Sequence, residues 1–230
     1  ITLEIAEELI AQRIDANLMN MKMADVSGLT KDSFLSKIDR IRQKTIGELK
    51  IKQYPPASVN INHFRALLNE LSLKKNFTPD VIIVDYLGIC LSARVKSAEN
   101  SYNYYKSVAE EIRGLAVERQ IPIISNHQFN RSGQYNTDVD LENISESHGI
   151  SMTADFMAAI IVTEEFLEQK KVMIKQLKSR YNDPSYYSKF MIGMDREKMR
   201  LYNLEEDEIV QTTTTRSDVV SKPVSKIDFS

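Results

Sequence analysis

The chain has 230 residues, 42% hydrophobic and 27% charged, with a formal net charge of −2. That is enough to bury one substantial core, and too little positive charge for a domain that grips phosphate by bulk charge. A single cysteine, Cys90, excludes a disulfide framework and a thiolate metal cluster; the lack of a long apolar run or of a basic-then-apolar leader points to a cytoplasmic protein with no membrane partner.

Ile1 to Glu4 reads as a short strand, and Ile5 to Met19 as a helix carrying Ile10, Ile14 and Leu18 at helical spacing. Ser27-Gly28 breaks the pattern, Thr30 is an N-cap, and Phe34, Ile38 and Ile41 recur along a second helix. Residues 48 to 54 alternate as a strand up to Pro55-Pro56; Asn60 then caps a helix with Phe64, Leu67, Leu68 and Leu71 on one stripe. Val81 to Val84 is continuously apolar, as suits a parallel strand buried on both faces, and ends in Asp85. A helix with Val108, Ile112 and Leu115 leads to another such strand, Ile121 to Ile124. Strand, helix, strand at this spacing predicts a parallel α/β sheet. Residues 129 to 150 are rich in Asn, Ser, Asp and Gly and read as a long mobile loop. Phe156 to Val162 returns as a strand, and Lys171 to Gln176, Tyr186 to Ile192 and Met199 to Leu204 read as antiparallel strands closing one side of the sheet. The polar, acidic stretch from 205 to 230 has too few apolar side chains to offset ordering entropy and reads as a disordered tail.

Four signals could carry chemistry. An acid at the carboxyl end of a parallel strand sits at the sheet edge where α/β proteins bind ligands, so Asp85 either holds Mg²⁺ or caps the next turn. Glu4 ends another strand and either activates an attacking water or simply opens a helix. After Ile121 to Ile124 comes Asn126-His127-Gln128, where an amide can sense a phosphate; Gln128 is the candidate, and His127 reads as a partly buried histidine. Lys178-Ser179-Arg180 ends a strand, where a rigid guanidinium can reach across a subunit interface, or be plain solvated surface.

The order of these signals, a glutamate after one strand, D-Y-L-G, Q-x-N-R-S and K-x-R-x-N, resembles the RecA-like motor domain of DnaB-type hexameric replicative DNA helicases. The phrases ITLEIAEELIAQRI, YPPASVNINHFRALL, VIIVDYLGI, HQFNRSG, SESHGISMTADF and KQLKSRYND look closer still to the T-even-like bacteriophage members of that family. The resemblance covers residues 1 to 204 and implies a P-loop NTPase fold, with residues 205 to 230 as a separate tail. It implies ATP and Mg²⁺ as ligands, Glu4 as catalytic base, Asp85 as the magnesium-holding acid and Gln128 as sensor. Arg180 becomes an arginine finger offered to the ATP of the next subunit, with Lys178 beside it. For single-stranded DNA it implies Ser145, Glu146, His148 and Gly149 in one channel loop, Arg94 and Lys96 in another, with Asn130 and Arg131 following Gln128. The implied partners are five further copies of the chain, a primase, a helicase loader and other replisome proteins; the implied action is ATP-driven five-prime to three-prime translocation and unwinding.

The chain departs from the family in its channel loop, where Ser145-Glu146-Ser147-His148-Gly149 lacks the basic side chain of R-E-S-G, and in Tyr181 and Asp183 of its last motif. No G-x-x-x-x-G-K-[ST] occurs among its seven glycines. A chain that begins after the phosphate loop and is inactive without the amino-terminal half is therefore expected, either a fragment of a longer protein or one product of a split gene that associates with its missing half. A RecA/RadA-like recombination ATPase and a non-catalytic replisome module are the alternatives.

Overall fold

The computed structural model describes residues 1–96, 101–128, 148–183 and 188–205. The expected tail beyond residue 205 and residues 129–147 of the loop expected at 129–150, including Asn130, Arg131, Ser145 and Glu146, lie outside these residues.

The parallel part of the fold is assembled around the first three residues. Thr2 donates its N–H to Lys52 O (2.9 Å) and accepts from Tyr54 N (3.0 Å), while Leu3 N reaches Asp85 O (2.8 Å) and Asp85 N reaches Ile1 O (2.9 Å). Strand β1 (Ile82–Val84) pairs in parallel with β2 (Ile123–Ser125), Val84 opposite Ser125. Four segments thus run side by side in the order 52–54, 1–3, 82–85 and 123–125. The strands expected at 1–4 and 48–54 shrink to bridges at Thr2 and Gln53. Thr2 Oγ1 turns the chain by bonding Ile5 O and Ile5 N (2.7 and 3.2 Å), and Leu49 is left exposed without a sheet partner to reward extension. The expected strand at 121–124 begins two residues later, because Pro122 has no N–H to give and contributes its carbonyl to Ile82 N (3.1 Å).

Helices α1 (Glu7–Met19), α2 (Met23–Ser27), α3 (Lys31–Arg42), α4 (Ile61–Lys75) and α5 (Ser101–Arg119) supply the helical layer. Thr30 and Asn60 cap α3 and α4 as expected, and Asn60 forms a reciprocal box with His63. The core joins Leu3, Ile82 and Val84 to Phe64 and Leu68 of α4 and to Val108, Ile112 and Leu115 of α5. Full burial of side chains such as Phe64 and Leu115 contributes about 1.5–3 kcal/mol each. On the other side of the strands Ile83 and Ile124 are 56% and 57% exposed, so the expected two-sided burial of β1 holds for one face only.

Three further pieces complete the described chain: a short helix α6 (His148–Thr153), strand β3 (Phe156–Ile161) and another short helix α7 (Glu164–Glu168). Then β4 (Lys171–Ser179), β5 (Lys189–Asp195) and β6 (Arg200–Tyr202) follow. These strands pair antiparallel in the order β3-β4-β5-β6, as a four-stranded sheet with its own small core of Ala159, Ile161, Met173 and Leu177. The antiparallel strands are thus present as expected, hydrogen-bonded to β3 instead of to β1 or β2 among the described residues. Met199, with φ of 52°, belongs to the turn before β6, which is why that strand starts one residue late. The general reading of an α/β fold with a parallel sheet and antiparallel strands on the carboxyl-terminal side stands.

Candidate functional site

Two clusters of candidate side chains are built by different parts of this frame. The first lies where the parallel segments end. Because Thr2 bridges Asp85, the chain delivers Glu4 and Asp85 to the same sheet edge. Tyr86 registers both: burial, then the negative charge of Glu4, then Tyr105 and Asp85, hold its phenol above the ordinary pKa. Ser125 welds the neighbouring strand to this edge, its Oγ donating to Val84 O (2.8 Å) and accepting from Leu87 N (3.0 Å). One residue on, Asn126 Nδ2 donates to Asp85 Oδ1 at 3.1 Å. His127 packs edge-on against Tyr105, its ring 3.1 Å from where a Cβ on Gly88 would stand, a packing role that agrees with its reading as an ordinary partly buried histidine.

Gln128 follows at the same edge, exposed. The amide that touches the acid is therefore Asn126, in the run singled out from sequence but two positions before the candidate chosen there, Gln128. An exposed carboxylate and a half-buried one at one edge suit Mg²⁺, which takes one or two carboxylates and completes its shell with water and phosphate oxygens.

The second cluster surrounds the end of β4. Lys178 Nζ donates to the carbonyls of Ser151 and Met152 at the end of α6 (2.6 and 3.0 Å). Arg180 Nη2 donates to Met152 O (3.1 Å) and Nη1 to Asp155 Oδ1 (2.6 Å). Arg113 of α5 approaches the same carboxylate with Nη2 at 3.0 Å and Nε at 3.3 Å from both oxygens. Hydrogen bonds from Arg113 first, then from Arg180, hold Asp155 below the usual carboxylate range. Burial and the neighbouring Arg180 charge push Lys178 down from its ordinary value. Arg180, with Arg113, Thr153 and Val117, faces a cleft of about 500 Å³. None of Glu4, Asp85 or Asn126 lines that cleft, so the cleft at Arg180 is separate from the sheet edge that holds Glu4 and Asp85. Asp155 and Arg113 had no signature in the sequence beyond an acid directly before a strand and a basic residue on a helix.

Of the residues assigned to DNA, Arg94 is engaged within the chain, donating to Glu110 Oε2 (2.8 Å), Glu111 Oε1 (3.3 Å) and Ser107 O (3.2 Å). Lys96 is exposed. Gly149 is buried in α6, where a Cβ would stand 2.6 Å from Lys106 Cβ of α5. His148 begins the same helix.

Residues 1–199 match the family described as DnaB-like helicase C terminal domain. The chain is 43% identical over 211 residues to a DnaB-like replicative helicase of Enterobacteria phage T4, covering 90% of this chain and 44% of the relative. It is 29% identical over 159 residues to a probable plasmid replicative DNA helicase of Chlamydia psittaci, covering 67% of this chain and 33% of the relative. The chain thus spans less than half the length of these relatives. In fold it is similar to a DnaB-like replicative helicase whose structure is described with its interactions with primase (TM-score 0.70, 16% identity, 89% of this chain and 51% of that one). A solved ATPase domain is similar at TM-score 0.71 and 15% identity, over 89% of this chain and 73% of that one.

Proposed function

The chain belongs to the DnaB-like helicase C-terminal domain family, and from that membership we propose that it is the ATP-hydrolysing motor of a replicative DNA helicase. The observation that carries this reading is the division of labour between the two clusters: paired acids at one sheet edge, and a half-exposed arginine at a separate cleft. A site completed by a neighbour's cation needs that separation, which favours a ring of identical subunits.

In the proposed reaction a water attacks the γ-phosphorus of ATP, the bond from that phosphorus to the bridging oxygen breaks, and ADP leaves. Glu4, exposed at the edge, accepts the proton of the attacking water at its carboxylate. Asp85 holds Mg²⁺, which when bound neutralises charge on the phosphate oxygens. Asn126 orients Asp85 through its 3.1 Å bond, and Gln128 sits where it can report on the γ-phosphate to the residues that follow. Arg180, with Lys178 beside it, meets the phosphates of the adjacent subunit's ATP.

The track is single-stranded DNA, followed in the five-prime to three-prime direction in the cytoplasm of the host. Arg94 and Lys96 on one side and the residues leading into α6, Asn130, Arg131, Ser145, Glu146 and His148, on the other contact its backbone; Gly149 serves by packing α6 on α5. A primase and a loader are the proposed replisome partners. Residues 1–230 by themselves carry no phosphate-loop motif, and bind ATP weakly.

The test is DNA-stimulated hydrolysis by the intact protein. Glu4→Gln and Arg180→Ala are each expected to abolish most turnover, with rings still formed. Wild-type turnover by Glu4→Gln removes the base assignment, and helical filaments in place of closed rings on forked DNA favour a recombination ATPase.

A further inference from the structure

An arginine on a flexible stem is a poor partner for a phosphoryl group that must be met in one geometry, unless its guanidinium is held beforehand. Arg180 is held three times over. Its N–H donates to Asp155 O (2.9 Å), its Nη1 to Asp155 Oδ1 (2.6 Å) and its Nη2 to Met152 O (3.1 Å). The same carboxylate is gripped from the opposite element by Arg113, so Asp155 is itself clamped between α5 and β4.

We propose that Asp155 is the positioning residue for Arg180, braced by Arg113 and presenting the guanidinium to the neighbouring subunit's nucleotide. The proposal rests on the reading of Arg180 as the cation offered in trans. The charge balance opposes the alternative, in which Asp155 sequesters Arg180. Arg113, Lys178 and Arg180 surround one carboxylate, and Glu110, which lines the same cleft, is paired to Arg94 at 2.8 Å. Among the described residues of the cluster the cations thus outnumber the unpaired carboxylates, which suits an incoming anion. Arg180 also keeps N–H groups beyond the two engaged here, and its side chain is 44% exposed.

The placement ties this cluster to the segment that precedes it. Both Lys178 and Arg180 bond the last carbonyls of α6, and Asp155 lies just after that helix. A shift of α6 would therefore move the cation.

The experiment compares Asp155→Asn, Asp155→Glu, Arg180→Ala and the double variant in the intact protein. Asp155→Asn keeps the size and removes the charge; kcat for DNA-stimulated hydrolysis is expected to fall about 10- to 100-fold with the KM for ATP and ring assembly unchanged. Asp155→Glu recovers part of that loss, and adding Asp155→Asn to Arg180→Ala costs nothing more. Arg113→Gln, which loosens the clamp and leaves the Asp155–Arg180 bond in place, lowers kcat about threefold to tenfold and carries the test should Asp155→Asn disturb assembly. A wild-type kcat in Asp155→Asn, beside a slow Arg180→Ala, overturns the positioning role and leaves the finger assignment standing. A wild-type kcat in Arg180→Ala removes the finger assignment itself. A double variant slower than Arg180→Ala alone means that Asp155 acts by another route and also overturns the proposal.

Discussion

Asn126 and Asp85 meet across two adjacent parallel strands, the amide Nδ2 donating to Oδ1 over 3.1 Å. The bond aligns the acid with the sheet edge and leaves its second oxygen for another ligand. Replacing Asn126 by Ala removes one charge-assisted hydrogen bond at an exposed position, so the folding cost is small, about 0.5–1.5 kcal/mol. The larger effect is expected on Mg²⁺: the concentration needed for half-maximal ATP hydrolysis rises severalfold while urea unfolding barely shifts. A Mg²⁺ titration superimposable on that of the parent would show that Asn126 does not orient a metal-holding acid.

Arg94 is bonded to two glutamates that differ in burial, and the difference separates stability from DNA affinity. Glu111, whose side chain is 7% exposed, accepts from Ser92 Oγ (2.6 Å), Ala93 N (2.8 Å) and Arg94 Nε (3.3 Å) and so shapes the turn at 92–94. Glu111→Ala strands those donors and is expected to cost about 2–3 kcal/mol in denaturant unfolding. Glu110 is 41% exposed and its ion pair contributes little to stability. Glu110→Gln leaves the midpoint in place and removes one of the two negative charges on Arg94, which keeps its bonds to Glu111 and Ser107 O, so single-stranded DNA binds more tightly and its affinity falls more steeply with salt, by up to about 0.7 in the logarithmic slope. Weaker binding by Glu110→Gln in an anisotropy titration would count against Arg94 as a DNA contact.

The sequence made the parallel edge readable because a strand buried beside helices must be apolar and an end that reaches the sheet edge need not be: VIIVD carries both statements in five letters. The caps at Thr30 and Asn60 were equally local, each a side chain acting on its own turn. Helices α2, α6 and α7 were missed because five or six residues are too few to display a helical period. Arg180 was legible as a candidate, whereas its partners were not. Asp155 lies 25 positions away and Arg113 comes from another element, and contacts of that kind depend on how β4 and α5 are brought together. Gly149 looked like a loop residue and is a packing residue for the same reason: α5 contributes the surface that demands it.

Cys90 is 3% exposed, and burial pushes its thiol up to about 12. The folded protein therefore keeps the proton where an unfolded chain, with a thiol near about 8.5, gives it up. Stability contributed by the neutral thiol is complete below that value and declines as pH rises toward about 12, the unfolded state being drawn by ionisation. Two measurements check this. A thiol-alkylating reagent at neutral pH should label Cys90 only at the rate of unfolding, and replacing Cys90 by Ala should flatten the alkaline side of the stability profile at some cost in packing. Rapid labelling of the native protein would contradict the burial of Cys90.

Gly149 and Gly47 differ in what a methyl group would meet, and together they test the contact between α5 and α6. At Gly149 a Cβ would stand 2.6 Å from Lys106 Cβ, 3.1 Å from Lys106 Cα and 3.2 Å from Tyr102 O, all atoms at or beside the α5 backbone that cannot swing away. Ala there must push α6 off α5, and overpacking of this kind costs about 1–3 kcal/mol. At Gly47 nothing lies within 4 Å, so Ala there is expected to be neutral or to stabilise by up to about 1 kcal/mol through the unfolded chain. Because the carbonyls of α6 hold Lys178 and Arg180, the displaced helix of Gly149→Ala should also lower kcat, while Gly47→Ala leaves it unchanged. Chemical denaturation and DNA-stimulated hydrolysis measured on both variants give the answer: equal stabilities would refute the close approach of the two helices, and a destabilised Gly149→Ala with full kcat would show that α6 does not govern the cations beside it.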